Sequence, residues 1–178
     1  MTNLVHHDLS ADVIVDGAPL TTALLALNAA HEAELSPLDA PRLRHLVAQA
    51  FLAMRVGESC ADADALLVAF DQDADYESPN FLWFRDRFAR FVYVDRVVVA
   101  QAAQGRGHAR SLYAALFRAA QDAGHDRVVC EINSVPPNPA SDAFHERLGF
   151  AEIGRATLPG GAKQVRYLEH RIAEARQT

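Results

Sequence analysis

Cysteine is scarce in this sequence. Cys60 and Cys130 are the two among 178 residues, too few for a disulfide framework and not spaced as a C-x-x-C pair. Cys130 sits in an apolar, strand-like run and reads as a small buried residue. Long apolar runs are missing too; none approaches the roughly 18 residues of a membrane span. The opening MTNLVHHDLSADVIV has neither the basic region nor the apolar core of a secretion signal. Positive charge is in deficit: the formal net charge of −6 argues against nucleic acid as a general partner and suits a cationic substrate such as an amine. No internal repeat, low-complexity segment or G-x-x-x-x-G-K-[ST] phosphate loop occurs. These absences leave a soluble, cytoplasmic protein as the expectation, with no membrane partner. Half the residues are hydrophobic and 22% are charged, and the length suits a single domain over 1–178 with a core from about 11 to 173.

Metal signals are equally thin. His6-His7 reads as a solvated pair in a loose lead-in over residues 1–10. Asp71-x-Asp73-x-Asp75 opens like a calcium loop, but Tyr76 replaces the turn glycine and Leu82 stands where the closing Glu is required. No metal is expected. An acidic loop, or a rim that attracts a cationic substrate, is left.

What is present is centred on Phe91 to Gly124. Phe91, Tyr93, Asp95, Val97 and Val99 alternate with Val92, Val94, Arg96 and Val98, the pattern of a strand covered on both faces. Ala109, Leu112, Leu116, Ala119 and Ala123 then recur at helical spacing, and Gly124 supplies the stop. Between them Gln104-Gly105-Arg106-Gly107-His108-Ala109 turns the chain. Bare backbone at a helix start directs N–H groups outward with the positive end of the helix dipole behind them, a site for a phosphate-like anion. A dinucleotide fingerprint fails here because Arg110 occupies the place of the third glycine, and the motif comes late in the chain.

Elsewhere the pattern predicts a strand at Val13-Ile14-Val15, a helix from Thr21 to Glu34, and a buried strand at 66–70. Residues 42–56 are ambiguous: Leu, Ala, Gln, Met and Arg favour helix. Residues 71–90 form an aromatic insert with Tyr76, Phe81, Trp83, Phe84 and Phe88, including a helical turn or two after Asn80. Arg127–Asn133 reads as a strand, and Val135-Pro136-Pro137 as an extended connection. Asn138-Pro139 opens a helix that Gly149 ends. Two strands, 150–156 and 164–171, flank the turn at Leu158-Pro159-Gly160-Gly161.

Gln104-x-x-Gly107-x-Ala109, placed between strand and helix, resembles the acetyl-CoA signature Q/R-x-x-G-x-G/A of the GNAT N-acetyltransferases. The run from Asn138 to Phe150 is similar to a second segment of that family, N-x-x-A/S-x-x-x-Y-x-x-L-G-F, through Asn138, Ser141, Leu148, Gly149 and Phe150. The resemblance implies an α/β fold with a mixed, mostly antiparallel central sheet flanked by helices. It also favours a strand over 42–56, paired with 65–70.

By the same resemblance, amides of Gly105, Arg106, Gly107, His108 and Ala109, with Gln104, would hold the pyrophosphate of acetyl-CoA. Arg106 and Arg110 are available for its other phosphates, and the backbone of Val97, Val98 and Val99 for its pantetheine arm. Asn138 and Ser141 would contact that arm, and Phe144 shares their helix face.

The implied reaction is acetyl transfer from acetyl-CoA to a primary amine, small-molecule or peptide, by direct attack. An inactive CoA-binding module is the alternative, and a homodimer is a further implication. A protonated amine needs a base, and Glu131 and Asp95, both on strands, are the candidates; each is equally readable as a partner for Arg96 or Arg127. A main-chain N–H near Val98 would stabilise the thioester oxygen. His145 stands where the family's acidic Tyr belongs and reads either as its substitute or as a packed helix histidine. Tyr76, Asn80, Trp83 and Phe84 are candidates for the acceptor pocket, or plugs for the end of the sheet.

Overall fold

The computed structural model describes residues 5–32 and 35–173. Among these, seven strands and five helices follow in order: β1 (His6–Asp8), α1 (Pro19–Ala29), α2 (Ala40–Gln49), β2 (Leu52–Val56), β3 (Ala65–Asp71), α3 (Pro79–Arg85), β4 (Val92–Val99), α4 (His108–Asp122), β5 (Arg127–Val135), α5 (Pro139–Arg147), β6 (Ala151–Thr157) and β7 (Gln164–Arg171). The strand order is β1-β2-β3-β4-β5-β7-β6. The β4–β5 pair is parallel, while β1–β2, β2–β3, β5–β7 and β6–β7 are antiparallel. That is the expected mixed, mostly antiparallel sheet. The chain divides into two compact units, Met1–Phe70 with Val94–Ala119, and Asp71–Tyr93 with Ala120–Thr178.

In the first unit two sequence expectations fail. The strand predicted over 42–56 is helical in its first half. Asp39 caps α2 by accepting from the Arg42 N–H at 2.8 Å, and Pro41 sits in the first turn. Leu43, Leu46 and Val47 bury one face at helical spacing, so the local propensity was the correct guide and only Leu52–Val56 is strand. The strand predicted at Val13-Ile14-Val15 is instead a single 3-10 turn, Ala11–Val13. Ile14 is fully buried while its neighbours are 40% and 52% exposed, a one-sided anchor rather than a strand face.

The first strand comes earlier, at His6–Asp8, inside the supposed lead-in, whose residues 1–4 lie outside the described residues. The helix predicted from Thr21 to Glu34 starts two residues earlier, at Pro19, and ends at Ala29; Glu34 lies outside the described residues. No helix among the described residues is long and apolar enough to cross a membrane.

In the second unit β4 and β5 run parallel at Val92↔Val128 and Tyr93↔Val129. Over this surface packs an aromatic cluster in which Phe81 meets Tyr76, Phe91 and Tyr93 at centroid distances of 5.6–5.7 Å. The insert therefore supplies core. Asn138 caps α5 as the sequence suggests, accepting from the Ser141 N–H at 3.1 Å, with Pro139 at the first position. The connection before it contains a cis peptide at Val135-Pro136.

Candidate functional site

Each unit carries one half of the candidate chemistry. In the first, β4 ends at Val99 and a 3-10 turn, Gln101–Ala103, leads to an extended Gln104. Gly105 and Gly107 follow with φ of +75° and +85°, a left-handed backbone that L side chains adopt only at a cost. A Cβ added at either glycine would meet nothing within 4 Å, so the turn opens outward. Gln104, Gly105, Arg106, Gly107 and Arg110 are exposed, while the His108 side chain is buried. The Ser111 N–H donates to the Gly107 carbonyl at 3.0 Å, which leaves the preceding amides beyond the helix ladder. Open peptide N–H groups at the start of a 15-residue helix suit an anion the size of a diphosphate.

The same unit defines Asp95. Its Oδ2 lies 2.7 Å from Arg96 Nε, and both side chains are less than a tenth exposed. Arg96 Nη1 also donates to Asn28 Oδ1 at 2.7 Å, and Asn28 Nδ2 donates to the Ser36 carbonyl. Asp95 thus neutralises a buried guanidinium. Nearby, the Val99 carbonyl accepts from His31 Nε2 at 3.1 Å, and the Ala100 N–H donates to the Asp64 carbonyl at 2.7 Å. His6 Nε2 lies 2.9 Å from Ser111 Oγ, whose own proton goes to the His108 carbonyl. His6 therefore donates, and its imidazole is held below its usual pKa by burial and then by Arg118. Among the described residues no group of three or more His, Cys, Asp or Glu side chains could hold a metal ion.

The second unit surrounds Glu131. Its Oε1 accepts from Asn80 Nδ2 at 2.9 Å and from the Tyr93 hydroxyl at 3.1 Å. Asn80 Oδ1 in turn accepts from the Tyr167 hydroxyl at 3.1 Å. Glu131 and Tyr167 are direct partners across β5 and β7, so they share one face of the sheet, and Asn80 reaches both from the second position of α3. Burial pushes the Tyr167 phenol up to about 12, with the Glu131 charge adding and Arg87 opposing. Trp83 stacks on Tyr167 with centroids 4.1 Å apart. Gly154, facing Tyr167 from β6, makes room for it; a Cβ there would come within 2.6 Å of the indole. The Arg87 guanidinium lies over Trp83 at 3.9 Å.

Asn80, predicted as an acceptor residue, is therefore a partner of Glu131. Trp83 is partly exposed, whereas Tyr76 is buried and Phe84 has no exposed surface, so these two stand in the aromatic core. Tyr93 and Tyr167 join this hydrogen-bonded cluster although no sequence motif singles them out. Tyr93 carried a signal, since it shares the strand face of Asp95, but Tyr167 joins Glu131 only through the β5–β7 register.

On α5, His145 is buried, and its Nδ1 lies 2.8 Å from the Ser141 carbonyl and 3.3 Å from Ser141 Oγ. A carbonyl can only accept, so Nδ1 carries a proton. The ring meets Phe144 and Phe150 edge-on, both at 5.2 Å. Burial holds the imidazole below its usual pKa, against the opposing pull of the Ser141 carbonyl and Asp142. Burial thus favours the uncharged ring. Tyr113 on α4 is fully buried.

The comparisons agree with this architecture. Residues 72–150 match the model of the Acetyltransferase (GNAT) family. The curated proteins include no match to this sequence. Solved structures share the fold at low identity. The ribosomal-protein-S18-alanine N-acetyltransferase from Escherichia coli is 13% identical with a TM-score of 0.66, over 99% of this chain and 98% of that one. The NatC complex bound to Gag peptide and CoA gives 16% and 0.68, over 97% and 100%. The acetyltransferase of GNAT family from Streptococcus pneumoniae gives 12% and 0.69, over 96% and 100%. The chain matches the GNAT acetyltransferase family model over residues 72–150 and shares the GNAT fold along nearly its whole length.

Proposed function

We propose that this protein, as one catalytic domain, transfers an acetyl group from acetyl-CoA to the primary amine of a small molecule or peptide. The reading rests on the turn at Gly105 and Gly107, left-handed, exposed and open, inside the family-matched residues and at the head of α4. The NatC complex, which shares the fold, was solved with CoA.

Acetyl-CoA supplies an activated thioester; attack by the amine exchanges its C–S bond for a C–N bond and releases CoA. The backbone from Gly105 to Ala109 binds the diphosphate, and Arg106 and Arg110 meet the outer phosphates. Asn138, through its cap on α5, holds the helix face that presents Ser141 and Phe144 to the CoA arm. Glu131 is the base: its carboxylate, gripped by Asn80 and Tyr93, takes the proton of the ammonium group, directly or through a water. Asp95 is a structural counter-ion rather than a base, because giving up its charge would strand Arg96. His145 braces α5, since its one proton is already donated and burial disfavours a second.

The experiment is thiol release from acetyl-CoA with a panel of primary amines. Release that saturates with one amine class, and collapses in Glu131→Gln, supports transfer. CoA binding without turnover on any amine would instead favour the CoA-binding module, which the buried His145 at the acid position makes a specific alternative.

A further inference from the structure

Tyr167 is far from the family-like motifs in sequence, yet it is the cross-strand partner of the proposed base. Two features of this corner go beyond packing. An Asn amide can face either way, and its two ends have opposite hydrogen-bonding character. Here the carboxylate decides: Glu131 Oε1 only accepts, so Nδ2 faces it, and Asn80 Oδ1 is left to accept from the Tyr167 hydroxyl. The phenol's proton is in addition retained across the working pH range, because burial and the neighbouring carboxylate push it up to about 12. Tyr167 therefore remains a donor at every pH at which the enzyme would operate. The stacked Trp83, seated through Gly154, covers the ring.

We propose that Asn80 and Tyr167 are positioning residues for Glu131: the Tyr167 hydroxyl anchors the far end of the Asn80 amide, and that amide holds the carboxylate oriented for proton transfer from the acceptor. This rests on the reading of Glu131 as base given above. Neither residue touches the substrate in this scheme. The groups facing Glu131 include the Tyr93 hydroxyl from β4 and the adjacent Cys130, whose thiol is kept neutral by burial with the Glu131 charge adding; Arg87 acts on Tyr167. Tyr93 remains in place when Asn80 is changed, so loss of the amide should retune the carboxylate rather than abolish it.

The test combines two readouts. Protein carrying 13C-labelled glutamate is titrated by NMR, with Glu131→Gln assigning the resonance, in wild type, Asn80→Leu and Tyr167→Phe. A hydrogen bond to the charged form lowers a carboxyl pKa, so its removal should move the Glu131 titration to higher pH, by about one pH unit in Asn80→Leu and less in Tyr167→Phe. The acid limb of kcat should move with it, while KM for the amine stays unchanged.

Tyr167→Phe keeps the ring and its stacking, so it decides the matter even if Asn80→Leu fails to fold. A Glu131 titration that stays put in the folded variants overturns the proposal. A titration that moves while the acid limb does not would keep the positioning and refute Glu131 as base, so the two claims fail separately.

Discussion

Asp95 and Glu131 are both strand carboxylates that composition and spacing rank equally, yet their surroundings differ, and on the proposed reading they do opposite work. Asp95 lies against the Arg96 guanidinium, with Asn28 completing that cation's bonds. Glu131 Oε1 instead accepts from an amide and a phenol, those of Asn80 and Tyr93. A carboxylate that pairs with a buried cation is committed to balancing that charge. One that accepts from an amide and a phenol is oriented by them. The contrast teaches that a base is identified by what it is bonded to, and burial alone does not separate the two.

The largest effect expected is on activity. Glu131→Gln should keep the fold and its bonds from Asn80 and Tyr93 but lower kcat about 10²- to 10⁴-fold, read from thiol release. Asp95→Asn should do the converse, costing about 3 kcal/mol in urea denaturation because Arg96 loses its charge partner, with turnover per folded molecule retained. If the two variants exchange phenotypes, the comparison is broken.

A smaller effect sharpens the Glu131 side. Gly154→Ala would put a methyl within 2.6 Å of Trp83, displacing the indole from Tyr167 at a cost of about 1–3 kcal/mol, visible in near-ultraviolet circular dichroism. An unchanged Trp signal would show that this corner is slack.

The smallest effect is a pH dependence. His145 titrates below its usual value when folded, so the unfolded chain binds its proton first as pH falls. Its contribution to stability is present above about pH 6.5 and is lost as pH drops from there toward the folded value. His6 and His125, also lowered by burial, add in the same direction. Urea midpoints at pH 7.5 and 5.5 should differ less in His145→Gln than in wild type. An equal drop in both would assign the slope to other groups.

The parts legible in the sequence are those whose signal is local. The valine strand, the glycine turn and the helix after it appear where periodicity and turn chemistry put them, as does the Asn138 cap. Residues 42–56 read as strand only through the family likeness, whereas Asp39 and Pro41 mark a helix start. Val13-Ile14-Val15 shows the weakness of short apolar runs: three residues cannot distinguish a strand from one buried anchor.

The Tyr167–Asn80–Glu131 chain was out of reach for a different reason. It is made by strand register and by the docking of α3, and neither leaves a pattern along the sequence. Tyr76 and Phe84 were placed in the insert correctly but belong to its core, since aromatic content alone does not distinguish a pocket wall from a plug.

The central claim is that the bare backbone around Gly105 and Gly107 binds CoA, and calorimetric titration of the folded protein with CoA tests it most directly. The account predicts saturable one-to-one binding that weakens at least about tenfold in Gly107→Val, where a branched side chain meets a left-handed backbone and fills the open turn. No heat of binding, or equal affinity in wild type and a folded Gly107→Val, would contradict it.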